Sequence, residues 1–585
     1  MMSPAKRGIE LESSIDNAEM EKADGAEVVA MPRAANGPLR TLIATAAMAL
    51  FFMAIGAQLV RLALMGLSDS SISLSETVAQ SFARPDIVDR NGRLLATDVE
   101  AYSLFADPAR VIDRDEVIEK LTVVFPDLDR AALRKDLSDR TRRFAWVRRG
   151  LSPRVAQQVH DLGLPGLNFR RELRRAYPGG KLAGHLLGYV NIDNKGVAGI
   201  ERYVDEMVGV ESVDGATLTE RPPVRLSIDI GIQHALEAEL DDAVARYKAK
   251  GAAGLVMDVT SGEVLASASD PDVDPGKPNT DNARADKIAA STFELGSVFK
   301  TMTVAMALDA GLVTTDTVFN VTPSLTSGKF TIGDVHASKG PLSVAQIFER
   351  SSNVGAAMIA LQAGAQRQQD FLRRMQLLDT LKTEAGSVAA PQLPPRWGEI
   401  ETITASYGHG IALAPLQFAV AACALVNGGN KVTPTFIKRA PDAGQAQIPL
   451  VSAATSQRLR DLMRLNVTHG TGKQAEVSGY RVGGKTGTAD IPGVGGYRDG
   501  AVISSFLAAF PMDNPRYLVF VLLFEPQATK ESGGEVLAAR NAAPTAGRVI
   551  SRIGPLLGLL PTQAAAQGTT STAFDASAPA KYEAR

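Results

Sequence analysis

Cysteine is almost missing from this sequence: Cys423 is the single one in 585 residues. An intrachain disulfide is therefore excluded, and the redox compartment stays open. Histidine is scarce as well. The six, at positions 160, 185, 234, 336, 409 and 469, are dispersed and leave no plausible zinc cluster. A net charge of −2 provides no basic surplus for nucleic acid. No phosphate-binding Gly-x-x-x-x-Gly-Lys-Ser/Thr or Gly-x-Gly-x-x-Gly loop sits in strand–helix context, so nucleotide use has no support. Neither a cofactor nor a metal is expected. What is present is a globular composition, 45% apolar, in a chain long enough for two to four domains. Cys423 itself lies in an apolar run, 418–426, and reads as a small buried hydrophobe.

Residues 1–40 mix acidic and basic side chains with few large apolar ones and read as a disordered arm. Residues 41–60 carry no charge, and about twenty apolar residues span a hydrocarbon core as a helix. Lys22, Arg33 and Arg40 precede this stretch and only Arg61 follows closely, which leans toward a cytoplasmic N-terminus. A Ser-rich connector (68–81) leads to Ile87-Val88 and Leu94-Leu-Ala96, which read as a β-hairpin around Asn91-Gly92. Residues 110–165 alternate charged helical stretches with turns. Arginines cluster at 170, 171, 174 and 175, read as ion pairs with a partner surface as the alternative.

A domain boundary is expected near Arg221-Pro-Pro223. Beyond it, Ile232, Leu236, Leu240, Val244 and Tyr247 form a helical stripe, with Gly251 as its stop. Residues 255–259 and 264–268 read as a hairpin around Ser261-Gly262. Residues 297–427 are helical with little strand signal, and strands return at 480–487, 502–510 and 517–524 before a helix near 546–560. Strands flanking a helical middle imply one α/β domain whose sheet pairs early with late segments. The tail from 561 is Ala/Ser/Thr/Gln-rich and reads as disordered.

Three short motifs in this domain carry chemistry. Ser297 and Lys300 lie three residues apart, on one face if a helix starts at Ser297. A serine hydroxyl needs an adjacent base, and a lysine serves if burial or a neighbouring cation lowers its pKa. Ser351-Ser-Asn353 follows a helical stretch. Lys485-Thr-Gly-Thr488 lies in a strand whose glycines need a reason, either close approach of another backbone or a bulge. Together they describe an acyl-transfer site. Ser297 attacks a carbonyl and Lys300 takes its proton. Ser351 relays a proton to the leaving nitrogen, and Asn353 hydrogen-bonds Lys300 and a substrate amide. Lys485 lowers the pKa of Lys300 and attracts a carboxylate that the Thr486 and Thr488 hydroxyls bind. The N–H groups of Ser297 and Thr488 form the oxyanion hole. Gly487 keeps the strand edge clear for an extended peptide. His409, among glycines, reads as part of a structural turn, with lining of the cleft as the alternative.

With these motifs in this order, the chain resembles the class B penicillin-binding proteins, and more narrowly the division-specific, FtsI-type peptidoglycan D,D-transpeptidases. Residues 84–93 (Arg-Pro-Asp-Ile-Val-Asp-Arg-Asn-Gly-Arg), Tyr177-Pro-Gly-Gly180, His185-Leu-Leu-Gly-Tyr189, Gly199-Ile-Glu201, Tyr407-Gly-His-Gly410 and Ala414-Pro-Leu-Gln417 extend the likeness across about 40–560. Asparagine at 353 favours division over the elongation-type relatives, which more often carry aspartate there. Leu295 stands where many relatives have proline. The resemblance implies an α/β (α+β) transpeptidase domain over 221–560, an elongated mixed α/β pedestal, dimerisation-like, over 61–220, and one transmembrane helix. It also implies a substrate, stem peptide ending in D-Ala-D-Ala, with β-lactams acylating the same serine. The implied setting is the inner membrane at the septum, catalytic domain in the periplasm, beside an FtsW-type lipid II polymerase and other divisome proteins. A serine β-lactamase normally needs a Glu-x-x-x-Asn segment between the second and third motifs, which 399–403 does not match. A non-catalytic β-lactam-binding scaffold is the remaining alternative.

Overall fold

In the computed structural model, residues 37–76, 84–211, 222–277, 285–440, 446–493 and 495–561 are described. The expected arm before residue 37, the tail from 562, the boundary at Arg221 and the last part of the connector lie outside them. The chain divides into two units, residues 1–81 and 82–585. In the first, helix α1 runs Gly37–Glu76, and its stretch Leu42–Arg61 is long and apolar enough to cross a membrane. The connector expected from Ser68 is thus helical as far as Glu76. Serine disfavours helix only mildly, and a long apolar helix propagates through it.

The second unit begins with a small sheet. Strand β1 (Ile87–Val88) pairs antiparallel with β2 (Leu94–Ala106), the hairpin expected around Asn91-Gly92. The Asp89 carboxylate accepts from Asn91 N and Arg93 N and so closes the turn. Strands β3 (Ala145–Leu151) and β4 (Leu167–Ala176) flank β2, and β5 (Val224–Arg225) joins β1 in parallel. The arginine cluster divides. Arg175 is buried against Glu201 (2.7 Å) and Asp98 (3.2 Å), whereas Arg170, Arg171 and Arg174 are exposed.

Helix α2 (Ile230–Tyr247) follows, N-capped by Asp229. Its stop is Lys248, left-handed at φ 46°, rather than Gly251, which opens strand β6 (Gly251–Asp258). An added Cβ on Gly251 would lie 2.6 Å from the Asp270 carbonyl, so that glycine serves strand contact with β7 (Val264–Asp270). Then come α3 (Lys300–Asp309), α4 (Val344–Arg350), α5 (Asn353–Ala363), α6 (Pro415–Val426) and α7 (Ala453–Thr468). Small two-stranded ribbons at 325–332 and 382–387, and one joining 318–319 to 342–343, interrupt a region read as almost purely helical. Their two- and three-residue strands are too short to leave an alternating pattern. Strands β8 (Gly483–Gly493), β9 (Gly496–Phe510) and β10 (Tyr517–Phe524) complete the main sheet in the order β8-β9-β10-β6-β7, and α8 (Ala542–Leu556) closes the chain.

Early and late segments therefore share one sheet, as expected. β6 and β10 are apolar on both faces, the mark of a strand covered on both sides. On one face Leu255, Leu518, Phe520 and Leu522 meet the helical middle, including Phe299 and Phe418. On the other, Val256, Val519 and Val521 meet Leu236 and Leu240 of α2 and Ile550 of α8. Ile87, Leu95, Leu186 and Ile200 of the small N-terminal sheet and its helices join the first of these cores. β8 is left at the edge of the main sheet, beside the N-terminus of α3.

Candidate active site

Ser297 sits in a 3₁₀ turn, Gly296–Phe299, and the α-helix proper starts at Lys300. A 3₁₀ turn has three residues per turn, so side chains at i and i+3 eclipse. Lys300 Nζ accordingly lies 2.9 Å from Ser297 Oγ. Gly296 has φ 60°, and an added Cβ there would lie 2.5 Å from the Thr488 carbonyl. The turn that carries Ser297 can therefore press directly onto β8 only because residue 296 has no side chain.

The second motif is a strained link between α4 and α5. Ser351 is left-handed (φ 62°) and ends α4, and Ser352 caps α5. This brings Ser351 Oγ 3.2 Å from Lys300 Nζ and 2.9 Å from Lys485 Nζ. Asn353 Oδ1 is 2.7 Å from Lys300 Nζ, and the Ser351 carbonyl 2.6 Å. These last two oxygens only accept, and they use both hydrogens of a neutral amine. Its lone pair is then free for a hydroxyl, and the nearest is Ser297.

Electrostatics support that protonation state. Lys300 is fully buried, and burial followed by repulsion from Lys485 holds its amine well below the usual lysine range, partly offset by Asp334. Burial pushes Lys485 down to about 7. Asp334, from a loop that drew no notice in the sequence, accepts from Ser352 Oγ (2.6 Å), Asn353 N (2.5 Å) and Val354 N (3.0 Å). A Gly-Asp pair in a loop 17 residues before Ser351 carries no local signal of this contact.

The third motif lies on β8 as expected. Strand β8 begins at Gly483 rather than Tyr480. Thr486 Oγ1 is 2.6 Å from Thr471 Oγ1, and Thr488 Oγ1 accepts from Ala538 N at 3.2 Å, which leaves its own proton to donate. Gly487 has a different purpose from clearing the strand edge. An added Cβ would lie 2.5 Å from Ser505 Oγ and 2.6 Å from the Leu295 carbonyl, so it permits close packing of the segment that leads into Ser297. His409 lies between the rings of Tyr407 (5.4 Å) and Tyr497 (5.7 Å), and burial lowers its pKa. Tyr497 OH donates to Glu294, which also accepts from Gly410 N (3.0 Å). His409 thus belongs both to a turn and to the wall between the Ser297 segment and the β8–β9 hairpin.

A serine, two buried lysines of depressed pKa, a bridging hydroxyl and an edge strand define a serine acyltransferase of the penicillin-binding type. The family model for the penicillin-binding protein transpeptidase domain matches residues 252–544, and that for the penicillin-binding protein dimerisation domain matches 80–214. The chain belongs to the class B penicillin-binding proteins, FtsI type. It is 40% identical over 488 residues to a probable peptidoglycan D,D-transpeptidase FtsI of Caulobacter vibrioides, covering 82% of each. It is 30% identical over 495 residues to the peptidoglycan D,D-transpeptidase FtsI of Escherichia coli K12, covering 78% of this chain and 82% of that one. Among solved structures, penicillin binding protein 3 from Mycobacterium tuberculosis, complexed with aztreonam, is similar with a TM-score of 0.62 at 26% identity. That match covers 82% of this chain and 97% of the other.

Proposed function

We propose that this enzyme cross-links peptidoglycan at the division septum through an acyl-enzyme on Ser297. The observation that carries this reading is the amine of Lys300, buried, depressed in pKa and 2.9 Å from Ser297 Oγ. Ser297 Oγ attacks the carbonyl of the penultimate D-Ala in a stem peptide as its proton passes to Lys300. The N–H groups of Ser297 and Thr488 hold the developing oxyanion. The C–N bond breaks, and a proton delivered through Ser351 leaves with the amine of the terminal D-Ala. An amine from a neighbouring stem peptide then attacks the ester, forms the cross-link and returns the proton to Ser297. Cationic Lys485 and the hydroxyls of Thr486 and Thr488 hold the terminal carboxylate, with Gly487 allowing the close packing beneath them. Asn353 orients Lys300 and the substrate amide.

β-Lactams acylate the same serine, since their strained amide and carboxylate imitate the D-Ala-D-Ala end. Residues 42–61 anchor the protein in the inner membrane with its N-terminus in the cytoplasm and the catalytic domain, about 221–560, in the periplasm. The span and the pedestal, about 61–220, contact an FtsW-type glycosyltransferase and other divisome proteins. Labelling with a fluorescent penicillin is the test. Ser297→Ala should abolish it, and labelling that persists in this variant would overturn the nucleophile assignment. Replacing the gene with the same variant should yield filaments that fail to septate.

A further inference from the structure

Thr486 Oγ1 stands between an ammonium and a hydroxyl. Lys485 Nζ lies 3.5 Å away, and Thr471 Oγ1 2.6 Å away on the other side. Which threonine donates in that short contact decides where the Thr486 proton points. The answer lies in Asn466, fully buried near the end of α7. Its Nδ2 lies 3.1 Å from Thr471 Oγ1 and 2.9 Å from the Glu349 carbonyl. A carbonyl only accepts, so the amide cannot turn over without setting Oδ1 against another oxygen. Among the described residues Asn466 Oδ1 is buried without a partner, so the amide forgoes an acceptor bond to keep both donations.

The turn after α7 is shaped around this amide. An added Cβ on Gly470 would lie 2.5 Å from the Glu349 carbonyl and 2.7 Å from Asn466 Nδ2. One on Gly472 would lie 2.7 Å from Asn466 Oδ1. Thr471, held between these glycines, accepts the hydrogen bond from Asn466 Nδ2. Among the described residues its oxygen has one other hydroxyl partner, Thr486.

We propose that Asn466 and Thr471 form a polarity relay, in which Thr471 donates to Thr486 and so turns the Thr486 proton toward the substrate carboxylate. Thr471 is then a positioning residue that selects acyl donors ending in a carboxylate. It rests on the assignment of Thr486 to that carboxylate. A relay of fixed direction presents a donor before substrate arrives, with no hydroxyl left to reorient on binding.

The test compares acylation of the full chain in detergent by benzylpenicillin and by its methyl ester, read by competition with a fluorescent penicillin. Thr471→Val keeps the shape of the side chain and removes the hydroxyl. It should lower the acylation rate constant for the acid about tenfold, the scale of one charge-assisted hydrogen bond, and leave that for the ester unchanged. Thr471→Ser should restore the acid rate. Equal loss for acid and ester, or no loss for either, would overturn the relay. Thr486→Val separates the two levels. If it lowers the acid-to-ester ratio and Thr471→Val does not, the relay alone fails. If Thr486→Val leaves the ratio unchanged, the carboxylate assignment fails and the relay with it.

Discussion

Burying two lysines beside one serine is costly, and the cost has a direction in pH. Lys485 falls from 10.5 to about 7 on folding because burial disfavours its ammonium form. Between those values the unfolded chain holds the proton that the native state has lost, so native stability rises with pH across that window. Below it both states are protonated and the full penalty, on the order of a few kcal/mol, is present. Lys485→Met should therefore raise the melting temperature at pH 6–7, by a margin that shrinks toward pH 10, while abolishing transpeptidation. A thermal melt against pH checks both the sign and the window. Burial and the neighbouring Lys485 also hold Lys300 well below the usual lysine range, so acylation should already run at neutral pH and decline on acidification as its amine takes a proton. A pH–rate profile for penicillin acylation reads that limb.

At the scale of elements, the site is assembled by turns that pack more closely than side chains allow. Gly296→Ala would force a Cβ to within 2.5 Å of the Thr488 carbonyl at a φ of 60°. Since about 1 Å of misplacement costs on the order of 100-fold, labelling by fluorescent penicillin should fall by that factor. The melting temperature should fall by only a few degrees. Asp334 acts from a different element. Its carboxylate accepts from the first backbone N–H groups of α5 and from the Ser352 hydroxyl, the residue after the left-handed Ser351. Asp334→Asn keeps one acceptor oxygen and removes the charge that partly raises Lys300. Acylation should slow about tenfold, on the scale of one lost charged hydrogen bond. Its acidic limb should shift to lower pH, a change that simple loosening would not produce.

Across the whole molecule, the small N-terminal sheet is tied to the chain that enters it by buried charge. Arg84 pairs with Glu201 and Asp205, and Arg175 with Glu201 and Asp98. Arg175→Met would leave Glu201 and Asp98 short of a cation inside the protein, and breaking such a pair costs about 3–5 kcal/mol. The full chain should lose several degrees of thermal stability, measured by calorimetry. Ile87 and Leu95 share a core with the main sheet, so this loss should reach the penicillin-binding half as well.

The three motifs, the apolar span and the strands flanking a helical middle were all legible in the sequence. Each depends on residue types at close spacing or on an apolar period, and both are local properties. The sequence also set Ser297 and Lys300 three residues apart, although the turn joining them proved to be 3₁₀ rather than α. Only the tertiary structure decided what lies between motifs. Asp334 reaches Asn353 across 19 residues, Asn466 reaches Glu349 across 117, and Gly487 meets Leu295 across the face of a sheet. Nothing in a Gly-Asp pair or an asparagine distinguishes it from many others until the fold brings its partner within 3 Å. The chemistry is written in short motifs because a nucleophile and its base must be neighbours. Its tuning is distributed because desolvation, strain and hydrogen-bond direction arise only when distant segments pack.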